Sequence, residues 1–253
     1  MIKNPSFYTV IIGTELLNGR RKDAHFEFVN KELKKRGWEQ KANFVIKDDP
    51  SFMEAVYTLI KSDPNSVMFS FGGIGATPDD YTREIAAKTF TNGIMETNQK
   101  ALSLIKEQFG QDAYPHRINM AKLPKDSGLL KNVVNKVPGF FIEERFFFTP
   151  GFVKMSHPMV IEALERFYPK NRKKHFCSFV ADASENRLID IMKQIPKEIE
   201  FSSLPKIEGD KKTVEIYLAD YEKENVDKWC RFFKEEISKK NIKIISGNEA
   251  SAS

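Results

Sequence analysis

Three short apolar runs, Phe7 to Ile12, Phe44 to Ile46 and Val67 to Phe71, constrain this chain more than any other feature. Each is followed by a polar loop and then by apolar residues at helical spacing. After the first run, Phe26, Val29 and Leu33 recur on one face, and Gly37 ends the segment. After the second, Asp49-Pro50 reads as an N-cap with proline at the first helical position. Phe52, Val56, Leu59 and Ile60 form the apolar face expected there. The third run leads into a helix expected from about Pro78 to Phe90. Strands alternating with helices in this way predict a parallel sheet covered on both faces. Further helices are expected near Asn98 to Phe109 and from about Pro158 to Tyr168, with strands near Phe140 and Phe146.

The composition then changes. PKNRKKH, residues 169–175, is basic and poor in apolar residues, as a domain linker would be. Beyond it the pattern predicts a strand over Phe176 to Val180 and a helix over Glu185 to Ile195. Strands at Phe201 and at Val214, Ile216 and Leu218 come next, then a helix marked by Val226, Trp229, Phe233 and Ile237, and a strand over Ile242 to Ile245. The order βαββαβ is the ferredoxin-like one. The expected units are therefore 1–169 and 172–246, with 247–253 a disordered tail.

Composition excludes few functions. A chain of 253 residues with 41% hydrophobic and 30% charged residues is of the soluble globular class. Its net charge of +5 comes from 40 basic and 35 acidic residues that are interspersed, so it permits an anionic ligand without demanding one. Cys177 and Cys230 are far apart and outside any CxxC spacing, which reads as two thiols in a reducing, cytoplasmic setting. No signal peptide is legible, and no run approaches the ~18 apolar residues of a membrane span. Neither a GxSxG nucleophile motif nor a Walker A loop occurs, and the four histidines lack metal-ligand spacing. The small unit carries no RNP-like aromatic signature on its strands, so nucleic acid is not an expected partner.

The stretch SFGGIGATPDDYTRE, residues 70–84, carries the clearest chemistry. Gly72, Gly73 and Gly75 let backbone N–H groups approach an anion, as phosphate-binding loops at helix starts do. Thr77, Pro78, Asp79 and Asp80 admit two readings. One is helix capping, since threonine caps well and carboxylates complement the helix dipole. The other is a divalent cation held by the aspartates and shared with a phosphate on the glycines. Glu15, beyond the first strand, stands where open α/β sheets bind ligands. Arg20, Arg21 and Lys22 form a short basic cluster, and AYPHR can bring His116 and Arg117 towards an anion.

Several motifs in order carry a family resemblance. IIGTELLNGR (11–20), VIKDD (45–49), GGIGATPDDYTRE (72–84), NMAKLP (119–124), VPGFFIE (137–143) and TPGF (149–152) together resemble the molybdopterin-binding, MogA/MoaB-like domain of the CinA family. The resemblance covers about residues 6–168, and the small unit is similar to the segment located after that domain in CinA-like chains. It implies a three-layer α/β domain that binds a pterin phosphate or a nucleotide, followed by a small α+β ferredoxin-like domain. The C-terminal deamidase domain of full-length members is not in this sequence, as in a shorter branch of the family. Carried over by position, Gly13, Thr14 and Glu15 line the first loop, and Asp48 is the acidic residue after the second strand. Gly72, Gly73, Gly75, Thr77, Asp79 and Asp80 hold phosphate and metal, while Asn119, Pro138, Gly139, Pro150 and Gly151 shape the far wall. This sequence departs from the family pattern at Ala76 (Pro), at His25 (Asn), and where PGFVKMS replaces PGPPSEM.

The activity so implied is a metal-dependent pyrophosphatase acting on a nucleotide diphosphate such as ADP-ribose. Asp79 and Asp80, with Asp48, would hold Mg²⁺, Mn²⁺ or Co²⁺, and Glu15 or Asp48 would serve as base. The alternatives are a non-catalytic binder of molybdopterin, a related pterin or a nucleotide, and a molybdopterin adenylyltransferase. By analogy with the family, a homodimer is expected.

Overall fold

The computed structural model describes residues 2, 4–171, 174–209 and 211–250. The chain forms two compact units, Met1–Asn171 and Arg172–Ser253. In the first, the chain runs β1 (Ser6–Ile12), α1 (Thr14–Leu17), α2 (His25–Lys35), β2 (Gln40–Ile46), α3 (Pro50–Lys61), β3 (Ser66–Phe71) and α4 (Thr82–Phe90). It continues through β4 (Met95–Thr97), α5 (Gln99–Phe109), β5 (Lys122–Pro124), β6 (Gly128–Leu130), β7 (Gly139–Ile142), β8 (Phe146–Thr149) and α6 (Val153–Phe167). The main sheet has the order β2-β1-β3-β8-β7-β6. Strands β2, β1, β3 and β8 are parallel, and β7 and β6 form antiparallel pairings at one edge.

Residue alternation along the strands builds three layers. Tyr8, Val10, Met68, Phe146 and Phe148 face one side, where they pack with α3, α4 and α5. Phe7, Ile11, Val67, Phe69 and Phe147 face the other, against α2 and α6. All six positions of β3 are buried, as a central strand covered on both faces requires. This is the three-layer α/β arrangement expected from the sequence.

Local departures have local causes. The buried face of α3 is Met53, Val56, Tyr57 and Ile60, while Phe52 and Leu59 are exposed. Both sets lie on a helical face, and the observed one is rotated so that Met53 and Tyr57 take the buried positions in place of Phe52 and Leu59. The cap of α3 is as expected: the Asp49 carboxylate accepts from Phe52 N–H at 2.9 Å. Helix α4 starts at Thr82, not Pro78, and Tyr81 at its N-cap makes no side-chain cap bond. Helix α6 starts at Val153, so Pro158 lies inside it and leaves one intrahelical bond unmade.

The second unit contains β9 (His175–Ala181), α7 (Ile189–Met192), β10 (Glu200–Glu208), β11 (Lys211–Asp220), α8 (Lys223–Lys239) and β12 (Ile244–Ala250). Its antiparallel sheet has the order β10-β11-β9-β12, which is ferredoxin-like. Two readings are corrected here. Residues 247–250, expected as disordered tail, are strand in β12 paired with β9, and residues 251–253 lie outside the described ones. The two cysteines, read as isolated thiols, are joined: Cys177 on β9 meets Cys230 on α8 in a disulfide. Their separation of 53 residues hid a contact made by helix-on-sheet packing. Of the linker, Arg172 and Lys173 lie outside the described residues, and His175 already belongs to β9. Among the described residues, no helix is long and apolar enough to cross a membrane.

Gly139, assigned above to a ligand-facing wall, is buried in β7. A Cβ there would sit 2.7 Å from the Phe148 carbonyl oxygen and 2.8 Å from Met159 Sδ. Its role is close packing. Gly139→Ala is expected to lower stability in urea unfolding by about 1–3 kcal/mol, as overpacking does, while leaving ligand affinity at the cleft within twofold. A selective loss of affinity at unchanged stability contradicts this assignment.

Candidate ligand-binding cleft

A cavity of about 510 Å³ opens beyond the carboxyl ends of β1, β3 and β8. Ligands of open α/β sheets bind in this position. Gly13 follows β1, Gly72 follows β3, and Pro150 and Gly151 follow β8, so the topology alone brings three loops together. Gly72 and Gly73 have φ values of 101° and 67°, conformations that favour glycine. A Cβ on Gly72 would meet the Ile12 carbonyl oxygen at 2.6 Å, so β1 and β3 can stand this close only with glycine there.

The loop's carbonyl groups point back into the protein. Thr82 Oγ1 donates to Gly72 O at 3.0 Å, and Thr82 N–H donates to Gly73 O at 3.0 Å. Arg83, only 5% exposed, donates from Nη1 to Ile74 O at 2.5 Å and Gly75 O at 2.6 Å. Among the described residues, the N–H groups of Gly73, Ile74, Gly75 and Ala76 donate to no protein acceptor. Such groups need a partner, and a row of them at a cleft floor suits an anion.

Two carboxylates hold these loops by the same device. Asp48 Oδ2 accepts from both Thr14 N–H and Thr14 Oγ1, each at 2.9 Å. Asp80 Oδ2 accepts from Thr77 N–H at 2.8 Å and also from Thr77 Oγ1. The second pair closes the Thr77–Asp80 turn before α4 and accounts for the late start of that helix. Asp79 is exposed and does not line the cavity. The neighbouring Thr77 side chain, together with the Asp79 backbone N–H, holds its carboxyl below the usual range. The expected metal pair is therefore not brought together. Among the described residues, no three His, Cys, Asp or Glu side chains gather as a cation-binding group. Of the two aspartates only Asp80 lines the cavity, and its Oδ2 already accepts from Thr77.

A family model described as a probable molybdopterin-binding domain matches residues 8–170. The chain belongs to this family. Over 205 residues it is 28% identical to a protein of Thermoplasma acidophilum, covering 79% of this chain and 78% of that one. It is 30% identical over 156 residues to a putative competence-damage inducible protein of Bacillus pumilus, covering 59% of this chain but only 37% of the relative's length. Other relatives carry the name CinA-like protein. Among solved structures, CinA of Thermoplasma acidophilum, described as of unknown function, aligns with a TM-score of 0.57 at 26% identity. That alignment covers 64% of this chain and 97% of the other.

In this molybdopterin-binding-family cleft, Gly13, Glu15, Asp48, Gly72, Gly73, Gly75, Thr77, Asp80, Pro150 and Gly151 all line the cavity. Thr14 touches it through its clamp on Asp48 alone, and Asn119 and Pro138 lie outside the lining. Sequence reasoning did not single out Phe109 at the end of α5, Met120 within NMAKLP, or Asn132 and Asn135 between β6 and β7, all of which line the cavity. Arg21 and Arg117 both reach the cavity, whereas His116 does not. Arg117 lies 4.4 Å from the centroid of Phe109, and Arg21 donates to Gly151 O at 3.2 Å.

Beside Gly151 lies a histidine pair, His25 buried and His157 half-buried. His25 is 4% exposed, stacks on Phe71 at 4.2 Å, and has Nε2 3.3 Å from Gly151 O. His157 stacks on Phe28 at 3.6 Å and meets His25 edge-on at 5.4 Å. His25 Nδ1 and His157 Nε2 have no hydrogen-bond partner. Burial pushes His25 below its ordinary value, and burial together with the charge of His25 pushes His157 down to about 4. The fold thus keeps both neutral, while the unfolded chain takes up protons below ~6.5. Stability from this pair is complete above that pH and declines as pH falls from about 6.5 towards about 4. His157→Phe should retain the stack on Phe28 and flatten the decline relative to wild type, read from urea midpoints at pH 7, 6 and 5. Parallel curves contradict this.

Proposed function

We propose that the cleft binds a small anionic ligand in which a phosphate or diphosphate adjoins a flat heteroaromatic ring, of the pterin-phosphate or nucleotide class. The observation that carries this reading is the row of acceptor-free N–H groups at Gly73 to Ala76 in the same cavity as Arg21 and Arg117. Backbone amides fix the anion's position, and the two guanidinium groups add charge and forked donors. Phe109, Met120, Val137, Phe152 and Met155 give the cavity an apolar side for the ring. The family description, with its molybdopterin ligand, supports the pterin member of this class.

Hydrolysis of a nucleotide diphosphate, the leading expectation from the sequence, has less support from the geometry. It assigns a cation to Asp79 and Asp80 with Asp48; Asp80 and Asp48 line the cavity but each is engaged by a threonine, and Asp79 does not line it. Binding without turnover is therefore the reading adopted. The domain retains what binding needs: a pinned loop, open amides and two cations.

The test is a thermal-shift panel with ADP-ribose, ATP, FAD, NAD and a molybdopterin mimic. A true ligand at ~100 times its dissociation constant should add about 2.7 kcal/mol and raise the melting temperature visibly. Arg117→Ala is expected to weaken that ligand by about tenfold and reduce its salt sensitivity, because an exposed cation acts through screened attraction. Release of inorganic phosphate or nucleoside monophosphate with Mg²⁺, Mn²⁺ or Co²⁺ would overturn the non-catalytic reading. No shift with any member of the panel would overturn the ligand class itself.

A further inference from the structure

The phenylalanines of β3, β7 and β8 are all buried, but Phe152, just past β8, is 61% exposed and lines the cleft. A single exposed aromatic side chain is unremarkable on a surface. What sets Phe152 apart is how firmly it is mounted. It is the N-cap of α6, and its carbonyl accepts from Met155 N–H and Ser156 N–H at 2.9 Å and from Ser156 Oγ at 3.1 Å. The base of the side chain therefore cannot drift. Arg21, tied to Gly151 O at 3.2 Å, places its guanidinium 5.9 Å from the ring centroid.

Resting on the ligand class proposed above, the geometry points to Phe152 as the stacking platform for the ligand's heteroaromatic ring. Phe152 is thereby the residue that makes the cleft select ringed phosphates over ring-free ones. The amide row at Gly73 to Ala76 recognises only the anion, which inorganic pyrophosphate offers equally well. Selection for a ring must come from another part of the cavity. Phe152 offers an aromatic face with few rotatable bonds, and the Arg21 guanidinium adjoins it in the same cavity.

The test compares two probes, ADP and inorganic pyrophosphate, by isothermal titration on the full chain. Phe152→Ala should weaken ADP by about tenfold, in the range of aromatic–base stacking, and leave pyrophosphate within twofold of wild type. Phe152→Trp should retain ADP binding, and ADP should quench the new indole emission above the background of Trp38 and Trp229. Equal losses for both probes, or ADP binding untouched in Phe152→Ala, would overturn the platform. Wild type that binds pyrophosphate but gains nothing from the ring would also overturn it. Binding of neither probe to wild type would sink the underlying ligand class first, a result distinct from the others.

Discussion

The cleft depends on a carboxylate holding a threonine at both its amide and its hydroxyl. Asp48 does this to Thr14 after β1, and Asp80 does it to Thr77 after β3. Hydrogen bonds to a charged acceptor contribute roughly 1.5–3 kcal/mol, enough to fix short loops that would otherwise sample many states. Negative charges can therefore stand beside an anion-seeking loop. Their Oδ2 atoms are occupied in shaping the loops, and the amides nearby are left facing the cavity.

Arg83 completes the arrangement from behind. A guanidinium at 5% exposure is costly to desolvate, and no carboxylate pairs with it directly among the described residues. Two backbone carbonyls of the glycine loop compensate for part of that cost. By drawing those carbonyls inward it turns the loop's N–H groups outward, towards the ligand. The loop thus gains its polarity from a charge on its buried side, with the glycines supplying the room.

Much of this was legible because it is local. Strand runs, glycine punctuation and the Asp49-Pro50 cap follow from spacing within a dozen residues, and the structure contains them. The TPDD segment had every local mark of a helix start, yet the Asp80–Thr77 turn competes with the helix and delays it to Thr82. The hidden part is tertiary. Arg83 reads as an ordinary solvated charge near a helix start, and nothing in its neighbours reveals that the glycine loop folds over it. Phe109 reaches the cleft from the end of α5, Asn132 and Asn135 from the loop between β6 and β7, and Cys177 meets Cys230 only once α8 lies on the sheet. Gly139 shows the reverse error, where a motif glycine serves packing between β7, β8 and α6.

The central claim is that the anion is held by clamped glycine loops rather than through a cation shared by paired aspartates. Its most direct measurement is the affinity of a nucleotide diphosphate for wild type in excess EDTA and again in millimolar Mg²⁺. The account predicts binding in EDTA within a fewfold of that in Mg²⁺. Binding that appears only with the cation would contradict it and return Asp79 and Asp80 to the metal role.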